Sequence, residues 1–489
     1  MNDVCLILEG TYPYVAGGVS SWVNTLIKRM KDISFSILYV GPQYSLRKKM
    51  NYVIPNNVLD FREIYLFDYQ LDLTKKRTSK KNIAVLEEFL ISIRRKDTKV
   101  FAELASKIRS GELNFYDIVV SYDSWKILEK IYTQEGPDQS FIDYFWTWRF
   151  VYLPFFSILT ADIPPARTYH SVSTGYAGVL GALAKIKTNR PFILTEHGIY
   201  TRERKIDISQ SDWIYADDLG ESKLTEREDF FKDWWIRLFT YFSKLAYDQA
   251  DEITTIFEGN RHSEIAEGAD PAKIRVIPNG VDFESLNSLE RKTDLKIKRI
   301  GFMGRVVSIK DVKTFITACS IVHKQLKDIE VYIMGPTDED EEYFADCKML
   351  VETQKMENII KFTGKVNIKE YYPKLDIVVL TSVSEGQPLV ILEAFSCGIP
   401  CVATDVGACS ELIHGSTPDD KLLGSAGIIT HVADPEETAN AILKILKNPD
   451  LSARMGDVAI KRIKAYYLID KLIAEYKKLY NHSIENIRW

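Results

Sequence analysis

From about residue 298 onward, short apolar runs alternate with helix-length amphipathic segments, and this alternation constrains the fold more than any other feature. The runs are apolar along their whole length, which is the pattern of strands buried on both faces. Such strands, separated by helices, predict a parallel sheet covered by helices on both sides. The predicted strands are IKRIGFMGRV, EVYIMGPT, IIKFTGKV, DIVVLTS, PCVATDV and AGIITHV, and the predicted helices include Asp311–Leu326 and Pro388–Cys397.

The N-terminal part shows the same alternation with interruptions, in DVCLILEG, FSILYVG, YDIVVSY, ARTYHSVS, PFILTEHG and DEITTIF. We therefore predict an α/β protein with two doubly wound, Rossmann-like domains that face each other across a cleft. The domains are predicted at 1–280 and 281–465, because IPNGVD (Ile277–Asp282) punctuates the chain, and a helix at about 466–489 is expected to pack back on the first. Ligands of such sheets bind beyond the carboxyl ends of the strands, so the cleft is the predicted site.

Composition and charge exclude several classes of protein. With 46% hydrophobic and 27% charged residues among 489, the chain has the balance of a soluble globular protein. The 63 Lys and Arg against 68 Asp and Glu give a net charge of −5, which argues against a nucleic-acid binder. Six scattered cysteines without a CxxC pair indicate reduced, buried thiols, and the N-terminus does not read as a signal peptide. We expect a cytoplasmic protein without nucleic-acid partners.

Two segments depart from the pattern. Tyr144–Ala161 is apolar and aromatic, but Arg149 and Pro154 lie inside it, so a buried helix or an interfacial surface is favoured over a membrane span. Residues 75–109 carry eleven basic and four acidic residues, a local balance of 11 − 4 = +7. This balance fits a solvated helical face, or a surface for an anionic membrane or an acidic partner.

A third unusual segment, residues 201–247, contains Trp213, Trp234 and Trp235 and is interpreted as a helical insertion beside the cleft.

Candidate anion-binding residues follow predicted strands. Gly17 and Gly18 open a helix, which is either ordinary turn geometry or a place where bare backbone amides face an anion. Arg305 ends a strand and Lys310 lies at the start of a helix, so the two cations fit a pyrophosphate, although isolated surface charges are the alternative.

Two carboxylates flank another predicted helix start. Glu385 follows a strand, Pro388 lies in the first helical turn and Glu393 lies about two turns further on. Such carboxylates can hold sugar hydroxyls while the helix amides face a phosphate; a helix N-terminal charge and a surface acid are the alternative. His170 and His197 end strands of the N-terminal domain, where a histidine is either structural or in contact with substrate.

The acidic pair Asp338 and Asp340 has the spacing of a metal-binding DxD motif. It also lies at a predicted helix start, where carboxylates complement the helix dipole, and we favour this second interpretation.

Taken together, these elements resemble family 4 of the retaining glycosyltransferases, which have the GT-B fold. The resemblance is carried by YPYVAGGV, the strand ending in His170, PNGVD, GRVVSIKD, the E-x7-E pattern from Glu385 to Glu393, and TDVGACSELI with Glu411. It covers nearly the whole chain. In the N-terminal half, EGTYPYVAGGVSSWV, YFWTWRFVYLPFF, YHSVSTGYAG and TEHGIYTRERKIDI resemble the PelF-like group, cytosolic glycosyltransferases of the Pel exopolysaccharide pathway.

The resemblance implies a role for each matching residue. Arg305 and Lys310 would hold the donor diphosphate. Glu393 would hydrogen-bond the nucleotide ribose. Glu385 and the backbone amides that follow it would hold the sugar and its phosphate. His170 would lie by the reacting sugar, and residues 363–366 would face the base. The implied catalytic residues are His170, Glu385, Arg305 and Lys310, and the implied donor-binding residues are Gly17, Gly18, Asn279, Arg305, Lys310, Val366, Glu385, Gly386, Gln387, Pro388, Leu389 and Glu393.

The family further implies a retaining transfer from a UDP-sugar, UDP-N-acetylhexosamine or UDP-glucose, to a polysaccharide acceptor. No cofactor and no divalent metal are expected, and proteins of polysaccharide synthesis and export in the inner membrane are the expected partners. Two alternatives stay open at this point. One is a UDP-sugar epimerase on the same fold, and the other is an assembly subunit that binds nucleotide sugar without catalysis.

Overall fold

The computed structural model describes residues 1–69, 80–135, 140–209, 221–291 and 296–485. The chain forms two compact units. The first contains the described residues of Met1–Thr255, Arg261–Arg275 and the stretch from Tyr476 onward, and the second contains those of Ile256–Asn260 and Val276–Glu475. The domain limits predicted from the sequence stay a prediction.

The first unit contains a seven-stranded sheet with the order β3-β2-β1-β4-β5-β6-β7, in which the pairs from β3 to β6 are parallel. Its strands are β1 (Asn2–Glu9), β2 (Phe35–Gly41), β3 (Val58–Tyr65), β4 (Ala166–Ser171), β5 (Phe192–Glu196), β6 (Glu252–Thr255) and β7 (Ile274–Val276). The helices between β1 and β7 are α1 (Gly18–Arg29), α2 (Lys80–Arg95), α3 (Val100–Ser110), α4 (Phe115–Val119), α5 (Tyr122–Glu135), α6 (Phe141–Ile158), α7 (Tyr176–Thr188), α8 (Tyr200–Ser209), α9 (Glu221–Gln249) and α10 (Glu258–Ala266).

The second unit contains a six-stranded parallel sheet with the order β10-β9-β8-β11-β12-β13. Its strands are β8 (Lys298–Met303), β9 (Ile329–Met334), β10 (Ile360–Gly364), β11 (Ile377–Leu380), β12 (Cys401–Thr404) and β13 (Gly427–Thr430). The helices after β7 are α11 (Phe283–Asn287), α12 (Val312–Gln325), α13 (Glu341–Thr353), α14 (Ile368–Tyr371), α15 (Leu389–Ser396), α16 (Cys409–His414), α17 (Pro418–Lys421), α18 (Pro435–Leu446), α19 (Pro449–Tyr466) and α20 (Ile469–Glu485).

Central strands such as β11 are apolar throughout because both of their faces are buried. In β11, Ile377 and Val379 pack in one hydrophobic cluster, while Val378 and Leu380 pack in the other. In the first unit, Phe155 of α6 stacks on Phe89 of α2 with ring centroids 5.1 Å apart. The predicted fold class, two Rossmann-like α/β domains with parallel sheets, is confirmed.

One predicted strand is wrong. The run YDIVVSY forms no strand, and its first residues belong to the short helix α4. Asn114 caps this helix: its side chain accepts a hydrogen bond from the Asp117 amide at 3.0 Å, and the Asp117 carboxylate accepts one from the Asn114 amide at 3.2 Å. Such a reciprocal capping box starts a helix even where the following residues have β-forming side chains.

The three unusual segments are helical where the structure describes them. The apolar stretch forms α6, which is largely buried although Ile142, Trp146 and Phe150 are exposed. Within the described residues, no helix is long and apolar enough to cross a membrane. The basic stretch forms α2 and α3, but Lys75, Lys76 and Arg77 lie outside the described residues. Of the third segment, α8 and α9 are described and Trp213 is not.

Candidate active site

Several of the predicted site residues follow strands at the point where the strand order of each sheet reverses. In the second sheet the order reverses between β8 and β11, and in the first between β1 and β4. The side chains beyond the carboxyl ends of such a strand pair surround the usual ligand site of an open α/β sheet. Arg305 follows β8, Glu385 follows β11, Gly17 and Gly18 follow β1, and His170 lies near the end of β4.

In the second unit, Lys310 and Glu385 form an ion pair at this point. The Lys310 Nζ lies 2.5 Å from the Glu385 Oε1, and their side chains are only 18% and 11% exposed. The Ser382 hydroxyl donates a second hydrogen bond to the same carboxylate oxygen at 2.6 Å. The backbone holds the two segments together as well, because the Val383 amide donates to the Ile309 carbonyl at 2.9 Å. The structure therefore brings two of the predicted residues into direct contact.

Arg305 lies apart from this pair. Its Nη1 forms an ion pair with the Glu339 Oε2 at 2.6 Å, and both side chains are about half exposed, at 51% and 46%. The backbone before Arg305 is closely packed, since a Cβ on Gly335 would lie 1.9 Å from the Gly304 carbonyl oxygen. The position of the Arg305 backbone is thus fixed while its side chain reaches solvent.

The segment from Gly386 to Leu389 leads directly into helix α15. Pro388 is the residue before the helix rather than within its first turn, and no side chain of the described residues caps the helix. The first amides of a helix lack intrahelical acceptors and carry the positive end of the dipole, so they suit a phosphate. Gln387 is buried, and its side-chain oxygen accepts a hydrogen bond from the Asn279 amide at 2.6 Å.

Asn279 contributes an unusual buried group. Its side-chain oxygen is buried without a hydrogen-bond partner among the described residues. A buried polar atom of this kind costs free energy unless a ligand or water satisfies it, which makes it a candidate ligand contact.

Glu393 lies on α15, one turn from its start. Its Oε2 accepts a hydrogen bond from the Tyr372 hydroxyl at 2.8 Å, and burial raises the pKa of the carboxyl above its usual value. Val366 follows β10 and is half-buried against a hydrophobic cluster that includes Tyr372. Glu393 thus contacts Tyr372, and Val366 packs against the hydrophobic cluster that contains this tyrosine. The contacts of Glu393 with the ribose and of Val366 with the base stay predictions.

In the first unit, Gly17 and Gly18 form the exposed start of helix α1. No side chain among the described residues caps this helix, and a Cβ on either glycine would meet no atom within 4 Å. The open space around the two residues leaves the helix N-terminus accessible, as the anion-binding interpretation requires.

His170 is fully buried in the first unit. Its Nδ1 lies 2.7 Å from the Tyr480 hydroxyl and its Nε2 lies 2.7 Å from the Thr195 hydroxyl. Burial lowers the pKa of this imidazole to about 3, so the ring is neutral at physiological pH. With both nitrogens hydrogen-bonded to the protein, His170 is placed as a positioning residue, and its contact with a sugar stays a prediction.

His197, unlike His170, has a ring nitrogen without a hydrogen-bond partner among the described residues. It follows β5 directly, and its Nε2 is buried without a hydrogen-bond partner among the described residues. The Trp22 ring of α1 packs edge-on against it at 4.8 Å, and burial lowers the pKa of His197 to about 4. The sequence marked both histidines as strand-end residues, but only the tertiary structure shows which one has a free ring nitrogen.

Asp338 and Asp340 do not form a cluster of metal ligands. Asp340 caps α13, its carboxylate accepting a hydrogen bond from the Tyr343 amide at 3.1 Å, as the helix-start interpretation requires. Among the described residues, no group of three or more His, Cys, Asp or Glu side chains has an arrangement that would hold a metal ion.

Comparison with known families shows which family the chain belongs to. Residues 2–272 match a family described as a domain of unknown function, DUF3492, which covers more than half of the protein. The chain belongs to the DUF3492 family. Residues 297–448 match the family described as glycosyl transferases group 1. The predicted glycosyltransferase resemblance is thereby confirmed for residues 297–448, whereas neither match concerns the Pel pathway in particular.

Curated relatives match parts of the chain. The N-acetyl-α-D-glucosaminyl L-malate synthase of Bacillus anthracis is 30% identical over 155 residues, covering 31% of this chain and 37% of that protein. The Escherichia coli UDP-Gal:α-D-GlcNAc-diphosphoundecaprenol α-1,3-galactosyltransferase is 26% identical over 230 residues, covering 44% of this chain and 56% of that protein. The matches thus span about half or less of each relative's length.

Solved structures match over the whole length. Anabaena HepE in complex with UDP and glucose superposes with a TM-score of 0.59 at 13% identity, covering 98% of this chain and 99% of HepE. The sucrose-phosphate synthase of Thermosynechococcus elongatus gives a TM-score of 0.58 at 15% identity, with 98% of both chains covered. At these identities the likeness concerns the fold, and it confirms the predicted GT-B class.

Proposed function

We propose that this protein is a retaining glycosyltransferase that transfers a sugar from a UDP-sugar to a growing exopolysaccharide. The observation that carries the proposal is the Lys310–Glu385 ion pair, which lies where the second sheet reverses its strand order and just before the uncapped start of α15. A cation, a carboxylate and bare helix amides are the groups that a sugar diphosphate needs.

The chemistry follows from charge. When the bond between the sugar and the diphosphate breaks, negative charge develops on the departing β-phosphate. Lys310, Arg305 and the amides at the start of α15 would stabilise that charge without reorganising during the reaction. We propose that these groups make a divalent metal unnecessary. Glu385 would hold the sugar hydroxyls, and Glu393 the ribose.

Retention is proposed to follow from attack on the same face of the sugar as the leaving group. The acceptor hydroxyl then loses its proton to the departing phosphate, so no protein carboxylate is needed as a nucleophile. We assign the acceptor to the first unit, where Gly17 and Gly18 open α1. His170, with both ring nitrogens bonded to the protein, would position its surroundings rather than exchange protons.

The relatives support a UDP-sugar as the donor. The Escherichia coli relative is named for a UDP-galactose donor, and HepE was solved with UDP and with UDP-glucose. The resemblance of the N-terminal half to the PelF-like group leads us to propose UDP-N-acetylhexosamine or UDP-glucose, a polysaccharide acceptor, and inner-membrane export proteins as partners. We place the protein in the cytoplasm, at the inner face of that membrane.

Substitution of the ion pair tests the proposal. We expect Lys310→Ala and Glu385→Ala each to lower kcat for UDP-sugar turnover by about 10²–10³-fold, as the loss of one stabilising donor does in other enzymes. Thermal unfolding should remain cooperative, because neither side chain belongs to a hydrophobic cluster. The matched control is Lys313→Ala, since Lys313 pairs with Asp346 at 2.7 Å on the next helix.

The control should retain nearly wild-type turnover. Wild-type rates in the Lys310 and Glu385 variants would contradict the assignment of these residues. An enzyme that yields only an epimerised donor, or a purified protein that binds UDP-sugar but neither transfers nor hydrolyses it, would support one of the two alternative functions instead.

A further inference from the structure

The loop from Tyr44 to Val53, here called the 44–53 platform, follows β2 at the carboxyl edge of the first sheet. Helix α1 begins at the same edge, because β1 and β2 are parallel neighbours. The platform therefore lies on the side of the first unit that carries Gly17 and Gly18.

The platform is fixed to the segment that leads into α1. The Asn51 amide donates to the Pro13 carbonyl at 2.9 Å, and the Asn51 side chain donates to the Tyr14 carbonyl at 2.6 Å. The Tyr52 ring packs against the Tyr12 ring with centroids 5.3 Å apart. These contacts hold the base of the platform, so its remaining side chains are presented in a defined place.

Four of those remaining side chains are apolar and exposed. Tyr44, Leu46 and Val53 are 60%, 62% and 84% exposed, and Met50 is 36% exposed. Four large apolar side chains are thus exposed within ten residues of an anchored loop, a concentration of the kind that marks an interaction surface.

The platform's own sequence carries only basic charges, and one exposed carboxylate, that of Asp68, lies at its start, where it accepts a hydrogen bond from the Tyr44 amide at 2.7 Å. Residues 42–59 contain Arg47, Lys48 and Lys49 and no acidic residue. Arg47 is neutralised by Glu63, whose Oε1 lies 3.0 Å from the guanidinium Nε. Lys48 and Lys49 are exposed, and neither forms an ion pair with any described residue. Along the chain, two cations that pair with no described residue thus lie between Leu46 and Met50.

We propose that the 44–53 platform docks directly on an anionic lipid surface. The apolar side chains would enter the region of the headgroups, and Lys48 and Lys49 would pair with lipid phosphates. The exposed apolar stripe of α6 (Ile142, Trp146 and Phe150) lacks a comparable pair of basic side chains, because the one basic residue of that helix is Arg149, whose guanidinium lies over the Trp146 ring. Docking through the platform would bring the start of α1 close to an acceptor held at the membrane.

Co-sedimentation of the purified full chain with lipid vesicles tests this inference. The vesicles consist either of phosphatidylcholine alone or of phosphatidylcholine with about one-third phosphatidylglycerol, at about 0.1 M salt. We expect binding to the anionic vesicles only. Lys48→Gln with Lys49→Gln should weaken that binding about 30-fold. Leu46→Ser with Val53→Ser should weaken it roughly tenfold, because apolar side chains no longer enter the interface.

The matched control is Lys324→Gln with Lys327→Gln, which removes two exposed lysines from the second unit and should bind as the wild type does. A wild-type protein that does not bind anionic vesicles would overturn the inference, as would equal binding by the Lys48/Lys49 variant and the control. The assay contains no donor and no acceptor, so its failure would leave the proposed reaction untouched.

Discussion

At the scale of single residues, His170 and His197 show how much depends on tertiary partners. Both end or follow strands of the first sheet, and the sequence treats them alike. His170 is bonded to Tyr480, which lies 310 residues further along the chain. No local sequence pattern indicates so distant a partner. The sequence therefore identifies both histidines as candidates, but it does not show which one has a ring nitrogen without a hydrogen-bond partner among the described residues.

The burial of His170 predicts a pH effect on stability. Its pKa is about 3 in the folded protein, against 6.5 as the usual value. The unfolded chain therefore binds an extra proton between these two values, so the stabilising contribution is complete above pH 6.5 and is lost as the pH falls. Each pH unit below 6.5 removes about 1.4 kcal/mol of unfolding free energy through this group.

We expect His170→Gln to remove that dependence. The loss of unfolding free energy between pH 7 and pH 5.5 should be about 1.4 kcal/mol smaller in the variant than in the wild type, measured by urea denaturation. Glu264 acts in the opposite direction, since burial raises its pKa to about 7 and its contribution is lost as the pH rises. It is present in both proteins and cancels in the comparison. Equal losses in both would contradict a neutral, buried His170.

At the scale of elements, the segment between β11 and α15 depends on a close approach by another loop. Gly407 has φ +53°, and a Cβ there would lie 2.2 Å from the Glu385 carbonyl oxygen and 2.3 Å from that of Gly386. The Ala408 amide donates to the same Gly386 carbonyl at 2.8 Å. Glycine at this position thus permits the backbone contact that holds Glu385 and the start of α15.

Gly407→Ala should therefore impair donor binding. The added methyl group displaces the segment after Glu385, and we expect the KM for UDP-sugar to rise about tenfold or more, since misplaced binding groups are costly. Gly424→Ala is the matched control, because Gly424 also has a positive φ, +96°, but its Cβ would come no closer than 3.7 Å to a neighbour. Steady-state kinetics on both variants separates displacement from backbone strain. An equal KM in the two variants would contradict the role given to Gly407.

Most strands of the second unit are predictable from the sequence. A strand that is apolar along its whole length, without alternation, is one whose two faces are both buried. The predicted strands of the second unit correspond to β8 through β13. The failure at YDIVVSY has a local cause: Asn114 and Asp117 are spaced as a capping box, and their hydrogen bonds favour a helix over the β propensity of the valines. That signal is present in the sequence, and a strand assignment overlooks it.

At the scale of the whole molecule, the two halves differ in what they reveal. The second unit contains residues that match a glycosyl transferase family, and its motif residues Lys310 and Glu385 form an ion pair that the sequence did not predict. The first unit matches a family described as a domain of unknown function, and in its large helical region between β3 and β4 only the segment of α6 carries a motif. The sequence therefore nominates residues for the proposed donor, whereas the identity of the acceptor depends on a family without a described function.

The proposed reaction is a UDP-sugar-dependent transfer that needs no divalent metal. The most direct measurement is nucleotide release by the purified chain from a panel of UDP-, ADP- and GDP-sugars in the presence of EDTA, with Lys310→Ala as the inactive reference. We predict release of UDP from a UDP-sugar, unaffected by EDTA and absent in the variant. A preference for ADP- or GDP-sugars, an activity that returns only when Mg²⁺ is added, or no release from any donor would contradict this reaction.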